Sequence, residues 1–485
     1  MGKISRVVSN QWMQICVVVL VAVVVRWSVS LNPYSGAGKP PMFGDYEAQR
    51  HWMEVTTNLP IGQWYTNGTG NNLEYWGLDY PPLTAYHSWI CGKVSSFLNA
   101  DWVELDSSHG YESYEHKLFM RYSVLAIDVL LYIPAVLLFC WFESSKKIFS
   151  FDWLRVAMII LLYPGLIVID HGHFQYNNAS LGFALLATIA LSTNHDLWGS
   201  ILFVLALNYK QMELYHAMPF FCYLLGRCFW GSDENRIWKL IKIGLVVVVS
   251  FLICWLPFLT SVESVLQVLH RLFPFARGLY EDKVANVWCS IEPIIRTRER
   301  LSQDVVIKIA LASTLLALLP SAIHLLFKPT IRCFRLALIN SSLAFFLFSF
   351  QVHEKSILLV TLPVCLLLQE KPFECTWFLL TSVLSMFPLL IKDGQFLSTT
   401  VLCLLFLMAS NVLLNSQKLK KTIHIQIIFW LSMLGMSILC ISHLLVPPPA
   451  RYPDIYPLLI SAYSCAHFLV FFVYCHYLQF TSVAD

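Results

Sequence analysis

The sequence predicts an all-α polytopic membrane protein, and three observations carry that prediction. Hydrophobic residues fill 57% of the 485 positions and charged residues only 13%, against an apolar share of roughly 45–50% in soluble domains. The mean hydropathy is +0.61. Apolar runs of about 17–25 residues, the length that crosses a hydrocarbon core as a helix, recur along the chain between charged, proline-containing or polar clusters. The net charge of +3 is spread along the chain, which excludes the basic stripe that a nucleic-acid partner requires.

Taken in order, the first run, Trp12 to Leu31, is too long for a signal-peptide core and lacks a small-residue cleavage site, so it reads as a retained span centred near Leu20. Further spans are expected around Leu131, Leu162, Leu186, Val204, Tyr223, Val249, Leu316, Phe346, Leu362, Ser382, Phe406, Met433 and Leu469, about fourteen in all, with those at Val204 and Phe346 short. Orientation follows from the basic residues. Lys3 and Arg6, Lys146 and Lys147, Arg227 with Arg236 and Lys239, Lys328 with Arg332 and Arg335, Lys371, and Lys418 with Lys420 and Lys421 fall on alternate loops of one side. The positive-inside rule makes that side cytosolic, and an even number of spans returns both termini to it. The opposite face receives two long loops, 32–117 and 260–304, and short ones carrying HGHFQYN, NYKQMEL, QVHEKS and PPPARYPD.

Chemistry collects on that face. The stretch from Phe43 to His87 is polar, acidic and rich in tryptophan, and the face as a whole presents acids (Asp45, Glu47, Asp79, Asp170), imidazoles (His51, His87, His171, His173, His353) and cations (Arg50, Lys210, Arg271, Arg277, Lys355). Such a mixture at a membrane surface suits a reaction on a lipid-borne, phosphate-bearing substrate. Contact with water would explain any one of these residues, but not why HGHFQYN and QVHEKS crowd ionisable groups against the ends of spans. Nucleotide-binding and zinc-protease motifs are missing, as is a D-x-D. Asp45-Tyr46-Glu47 and the His171/His173 pair are the nearest approach to a metal site, yet hard cations want several oxygen ligands together. No metal and no cofactor are therefore expected. A lipid monophosphate leaving group can be met by Arg, Lys or protonated His instead.

Asp45 has two readings on spacing alone. It precedes the helix-prone EAQRHWME, where aspartate is a favoured N-cap, and it is also a candidate base. Arg26 and Asp128 fall in the first two spans at similar depth and are expected to pair, because either charge alone would be costly in the membrane. Asn67-Gly68-Thr69 is a glycosylation sequon in the first loop, whereas the sequons at Asn178 and Asn340 fall at or within spans. A transporter is the competing class. Its usual signature of repeated halves with polar groups at the midplane is not evident.

The blocks FGDYEAQRHWMEVT, YWGLDYPPLTAYHS, HKLFMRYSVLA, LLYPGLIVIDHGHFQYN, LNYKQMELYH, RLFPFARGLYEDKVANVWC and SFQVHEKSILL together resemble the endoplasmic-reticulum glucosyltransferases that use dolichyl-phosphate-glucose. They run in order from Asn32 to about Leu368; beyond that point only helices are recognisable. The continuation EDKVANVWC sides with members that add the first glucose to the N-glycan precursor rather than the second. The resemblance implies a C-type glycosyltransferase fold with about fourteen transmembrane helices and lumenal amphipathic helices in the first loop. It divides the chain into a common module over 1–259, which includes the loop 32–117, and a variable module over 260–485, which opens with the loop 260–304.

It also implies an inverting transfer of glucose from dolichyl-phosphate-glucose to a dolichyl-pyrophosphate-linked oligosaccharide, in an endoplasmic-reticulum membrane with the site on the lumenal side. Asp45 takes the place of the family's catalytic base. For the phosphate, His353 is favoured, with Lys355 and Arg277 beside it, since the HEK segment lies where a predicted span emerges. His87, Asp170, His173 and Lys210 are candidates for binding either sugar.

Overall fold

The computed structural model describes residues 2–144, 152–230, 235–273, 283–414 and 421–482. Arg277 lies outside them, as do Lys146, Lys147, Lys418 and Lys420 among the orienting basic residues. Among the described residues the fold is helical throughout, and the nearest thing to a strand is an isolated bridge between Gly68 and Asn71. Among the described residues, eight helices are long and apolar enough to cross a membrane, and nine if the pair Trp153–Leu161 and Pro164–Phe174, bent by 43°, forms one span. Two shorter apolar helices, Asn177–Ser192 and Asp196–Tyr209, accompany them. Several other expected spans are shorter pieces: Leu214–Trp230 carries Pro219 inside it, and Leu358–Cys365 carries Pro363. Proline removes a backbone donor, and the helix that carries Pro363 ends at Cys365, whereas Leu214–Trp230 continues through Pro219.

The chain forms two compact units. The first comprises Met1–Glu213, Ile241–Phe275 and Lys392–Thr399. Within it, the helix Asp45–Asn58 is buried from Tyr46 through Thr56 although it is mostly polar. Two apolar clusters account for this. Tyr46 and Met53 join Tyr34, Phe174 and Tyr176 on one face, and Trp52 and Val55 join Trp64, Tyr65, Phe258 and Leu272 on the other. The polar remainder satisfies itself: Arg50 donates to Glu47 Oε2 and Oε1 at 2.8 and 2.6 Å and to Glu54 Oε2 at 2.7 Å. Residues three and four apart share a helix face, so this spacing puts both carboxylates around one guanidinium. Burial works against the charge of Glu54, but the His51 hydrogen bond and the Arg50 guanidinium prevail and hold its carboxyl at about 2.

Two π-type turns interrupt the helices of this unit, Asp128–Tyr132 and Val168–Phe174. Such turns swing side chains out of helical register and free backbone groups, and they recur at functional sites. Here they carry Asp128 in one and Asp170, His171 and His173 in the other.

The second unit comprises Leu214–Leu240, Ala276–Ile391 and Thr400–Asp485. Its helices Gln303–Phe327, Ile331–Phe348 and Ile455–Phe480 are tied in the interior by Gln479, whose Oε1 accepts from Ser321 Oγ at 2.6 Å and Asn340 Nδ2 at 2.8 Å. Small polar side chains commonly join spans in this way.

Asn340 and Asn178 are both buried, but Asn67, Gly68 and Thr69 are exposed beside the turn at Gly68. Protein made in cells that glycosylate is expected to lose one glycan's worth of mass on endoglycosidase treatment, and Asn67→Gln is expected to abolish that shift. An unchanged mobility would contradict the placement of loop 32–117 on the non-cytosolic side.

Candidate active site

The helix that presents Asp45 begins one residue earlier than the sequence suggests. Its N-cap is Gly44, in the left-handed region at φ 82°, with no side-chain cap bond. A Cβ at Gly44 would sit 2.8 Å from Ser35 Oγ, so glycine is needed both for the conformation and for the space. The capping role considered for Asp45 is thus corrected. Its carboxylate turns elsewhere: Oδ2 accepts from Gln175 Nε2 at 2.6 Å and lies 3.0 Å from His173 Nε2.

His173 is enclosed by two carboxylates. Its Nδ1 is hydrogen-bonded to Asp393 Oδ2, so the imidazole bridges Asp45 and Asp393. Only Asp45 reaches outward: its side chain is 26% exposed, against 2% for His173 and 3% for Asp393. The turn that carries Asp393 is fastened on both sides. Lys39 Nζ donates to Lys392 O at 3.1 Å, and Gln395 Nε2 donates to Pro33 O at 2.6 Å. Gly172 admits this turn, because a Cβ there would meet the Gln395 amide at 2.9 Å.

Behind Asp45 a continuous polar chain runs down into the spans. Gln175 Oε1 accepts from Lys210 Nζ at 3.3 Å and from Asn177 Nδ2 at 3.1 Å. Lys210 also donates to Asn177 Oδ1, and its ammonium lies 5.2 Å from the centre of the Tyr80 ring. Asp170 is fully buried, accepting from Asn177 Nδ2 at 2.7 Å and from the Asn178 backbone at 2.8 Å. Asn178 Nδ2 in turn donates to Asp128 Oδ1 at 2.7 Å. Asp128 completes the chain with the expected ion pair to Arg26 and a hydrogen bond of 2.9 Å to His171 Nε2. Buried polar groups are tolerated only when paired, and each carboxylate here has two or more partners.

Burial pushes the His87 imidazole down to about 4, which leaves it neutral near pH 7. Its Nδ1 lies 2.9 Å from Tyr209 Oη and its Nε2 3.3 Å from Cys91 Sγ, so it offers hydrogen bonding rather than charge. The residues weighed as metal ligands point apart: Glu47 faces Arg50 and Tyr75, Asp45 faces Gln175, and His171 and His173 serve different carboxylates. Among the described residues, His51, Glu54 and His109 bring ligand atoms within 4.8 Å of one another. Glu54, however, already accepts from Arg50, from Ser108 Oγ at 3.2 Å and from the Asp106 backbone at 2.8 Å, so its lone pairs are engaged within the protein. His353 and Lys355 belong to the second unit, half-buried where the helix Ile331–Phe348 gives way to the turn Glu354–Ile357. Arg277 lies outside the described residues.

Asp393, Gln175 and Asn177 are site residues that motif reading passes over. One signal for Asp393 is present in the sequence: Asp-Gly interrupts two apolar runs, between the basic residues Lys371 and Lys421 that the sequence reading expects on the other face.

The chain is similar to known proteins along nearly its whole length. A chicken (Gallus gallus) protein called dolichyl pyrophosphate Man9GlcNAc2 alpha-1,3-glucosyltransferase is 53% identical over 489 residues, covering 96% of both chains. The Mus musculus protein of the same name is 52% identical over the same share of both. An Arabidopsis thaliana protein given that name as probable is 42% identical, covering 95% of this chain and 89% of its own. Residues 17–474 match the family described as ALG6, ALG8 glycosyltransferase, and with identity this high over nearly its whole length, the chain belongs to that family.

Proposed function

We propose that the protein transfers the first glucose from dolichyl-phosphate-glucose to the dolichyl-pyrophosphate-linked Man(9)GlcNAc(2) oligosaccharide, in α-1,3 linkage and with inversion, on the lumenal side of the endoplasmic-reticulum membrane. The observation that carries this reading is Asp45: a partly exposed carboxylate, oriented by Gln175 and His173, on a helix buried along most of its length. An acceptor mannose hydroxyl loses its proton to Asp45 as its oxygen bonds to C1 of the glucose. The bond from C1 to the phosphate oxygen breaks on the opposite face, and its electron pair leaves with dolichyl phosphate. The transition state is oxocarbenium-like, so the proton moves late and a modest base is sufficient.

Substrate contact falls to His353, Lys355 and Arg277 at the phosphate and to Lys210 and His87 at the sugars, with His173 and Asp170 supporting from behind. The wider frame is a C-type fold with about fourteen spans, cytosolic termini and a division near residue 259 into a common and a variable module.

The names of the relatives favour the Man9GlcNAc2 acceptor over an oligosaccharide that already carries one glucose. Purified protein given each acceptor in turn is expected to glucosylate the unglucosylated one. Product from the monoglucosylated acceptor alone would assign the chain to the second glucose instead. Thorough chelation is expected to leave the rate unchanged, since a monophosphate leaving group can be met by cationic side chains. Loss of activity with recovery on Mg²⁺ or Mn²⁺ would make metal-assisted departure the better explanation.

A further inference from the structure

We infer that Asp393 is a positioning residue for the transfer, acting on Asp45 through His173; the inference rests on Asp45 being the base. The geometry is that of a relay with one exposed end. His173 presents Nε2 to Asp45 at 3.0 Å and Nδ1 to Asp393, and both His173 and Asp393 are buried. An ionised carboxylate only accepts hydrogen bonds. Asp393 at Nδ1 therefore fixes the plane of the ring, and with it the direction in which Nε2 meets Asp45.

The consequence for Asp45 is one of aim. Its Oδ2 is held between His173 Nε2 and Gln175 Nε2, which fixes the plane of the carboxylate. Asp393 holds the ring that makes the first of these contacts.

The placement is built. The turn around Asp393 is anchored to Pro33 and Lys39 of the first loop and seated against Gly172, directly beside His173. Gly394, in the left-handed region at φ 71°, lets the chain reverse immediately after Asp393. None of the family blocks quoted above includes this segment, so the role reads from the fold alone.

The test uses full-length purified protein with donor and acceptor lipids, and rates are normalised to folded protein by size exclusion and thermal midpoint. Asp393→Asn preserves shape and can still hydrogen-bond Nδ1, but removes the charge. It is expected to lower kcat about 10- to 100-fold, the scale on which small misplacement of a reacting group is felt, with KM for both substrates within about twofold of wild type. His173→Gln is expected to lose at least as much. The double variant Asp393→Asn/His173→Gln is expected to lose no more than His173→Gln alone, because the path to Asp45 is already cut.

A purely structural role would lower the thermal midpoint and leave kcat per folded molecule unchanged, and that result would overturn the inference. So would losses that multiply in the double variant, or a loss confined to KM. Should Asp393→Asn not yield folded protein, Asp393→Ser is measured by the same criteria. Asp45→Asn is assayed alongside: an inactive Asp45→Asn with a normal Asp393→Asn refutes only the relay, whereas an active Asp45→Asn refutes the base.

Discussion

Asp45→Asn is expected to reduce transfer about 10²–10⁴-fold, the usual cost of losing a positioned general base, while the protein stays folded and continues to bind donor. The geometry makes this substitution unusually discriminating. Because Gly44 and not Asp45 caps the helix, no capping energy is at stake. The carbonyl oxygen of the introduced asparagine can still accept from Gln175 Nε2 and His173 Nε2, so the first loop keeps its contacts. What asparagine lacks is the ability to take the acceptor's proton. Rates measured at saturating donor and acceptor, alongside thermal midpoint and donor affinity, check the prediction. Activity within a few-fold of wild type would remove Asp45 as the base and move attention to Glu47 and Asp79.

The second large effect concerns the far end of the polar chain. Asp128→Ala is expected to destabilise the protein by about 3–5 kcal/mol, the range found when one partner of a buried ion pair is removed and the other charge is left behind. Arg26 would retain only the carbonyls of Ala22 at 3.2 Å and Leu161 at 2.8 Å, and His171 and Asn178 would each lose an acceptor. The double variant Arg26→Met/Asp128→Asn is expected to recover most of the loss. It removes both charges together, and the amide that replaces the Asp128 carboxylate accepts from Asn178 Nδ2 through its oxygen while its own NH2 donates to His171 Nε2, the imidazole taking the Nδ1–H tautomer. Unfolding in detergent, followed by size exclusion after graded heating, distinguishes the outcomes. A change of less than about 1 kcal/mol for Asp128→Ala would mean that the pair contributes little net stability, as surface pairs do.

Much of this site is legible in the sequence, and the reasons differ by residue. Arg26 and Asp128 stand out because charge inside a span demands a partner, and the partner is present. Asp45 stands out because it opens a dense polar block in an apolar chain. Its second reading, as a cap, rests on spacing, and spacing is silent about φ; the positive φ of Gly44 moves the cap by one residue and leaves the carboxylate to Gln175 and His173. Asp170 illustrates a limit of a different kind. It lies immediately before the HGHFQYN block that holds His173, yet the π-type turn over Val168–Phe174 directs it into the interior, where Asn177 and Asn178 engage both its oxygens. Periodicity assumes a regular helix and does not register such a turn.

Asp393 is beyond motif reading because its partner lies 220 residues away in sequence, and nothing local pairs a solitary Asp-Gly with a histidine so distant. The spans are the converse case: hydropathy finds the apolar runs, but one bends by 43° before Pro164–Phe174 and the helix Leu358–Cys365 ends soon after Pro363. Hydropathy measures what a segment would bury and does not register where its backbone breaks.

The most direct measurement is the anomeric configuration of the transferred glucose, determined by NMR on product made by purified protein from a β-linked dolichyl-phosphate-glucose donor. A single displacement assisted by Asp45 predicts an α-linked glucose on the acceptor mannose, with no glucosyl-protein species trapped when acceptor is withheld. A β-linked product, or a covalent glucosyl-protein intermediate, would contradict it.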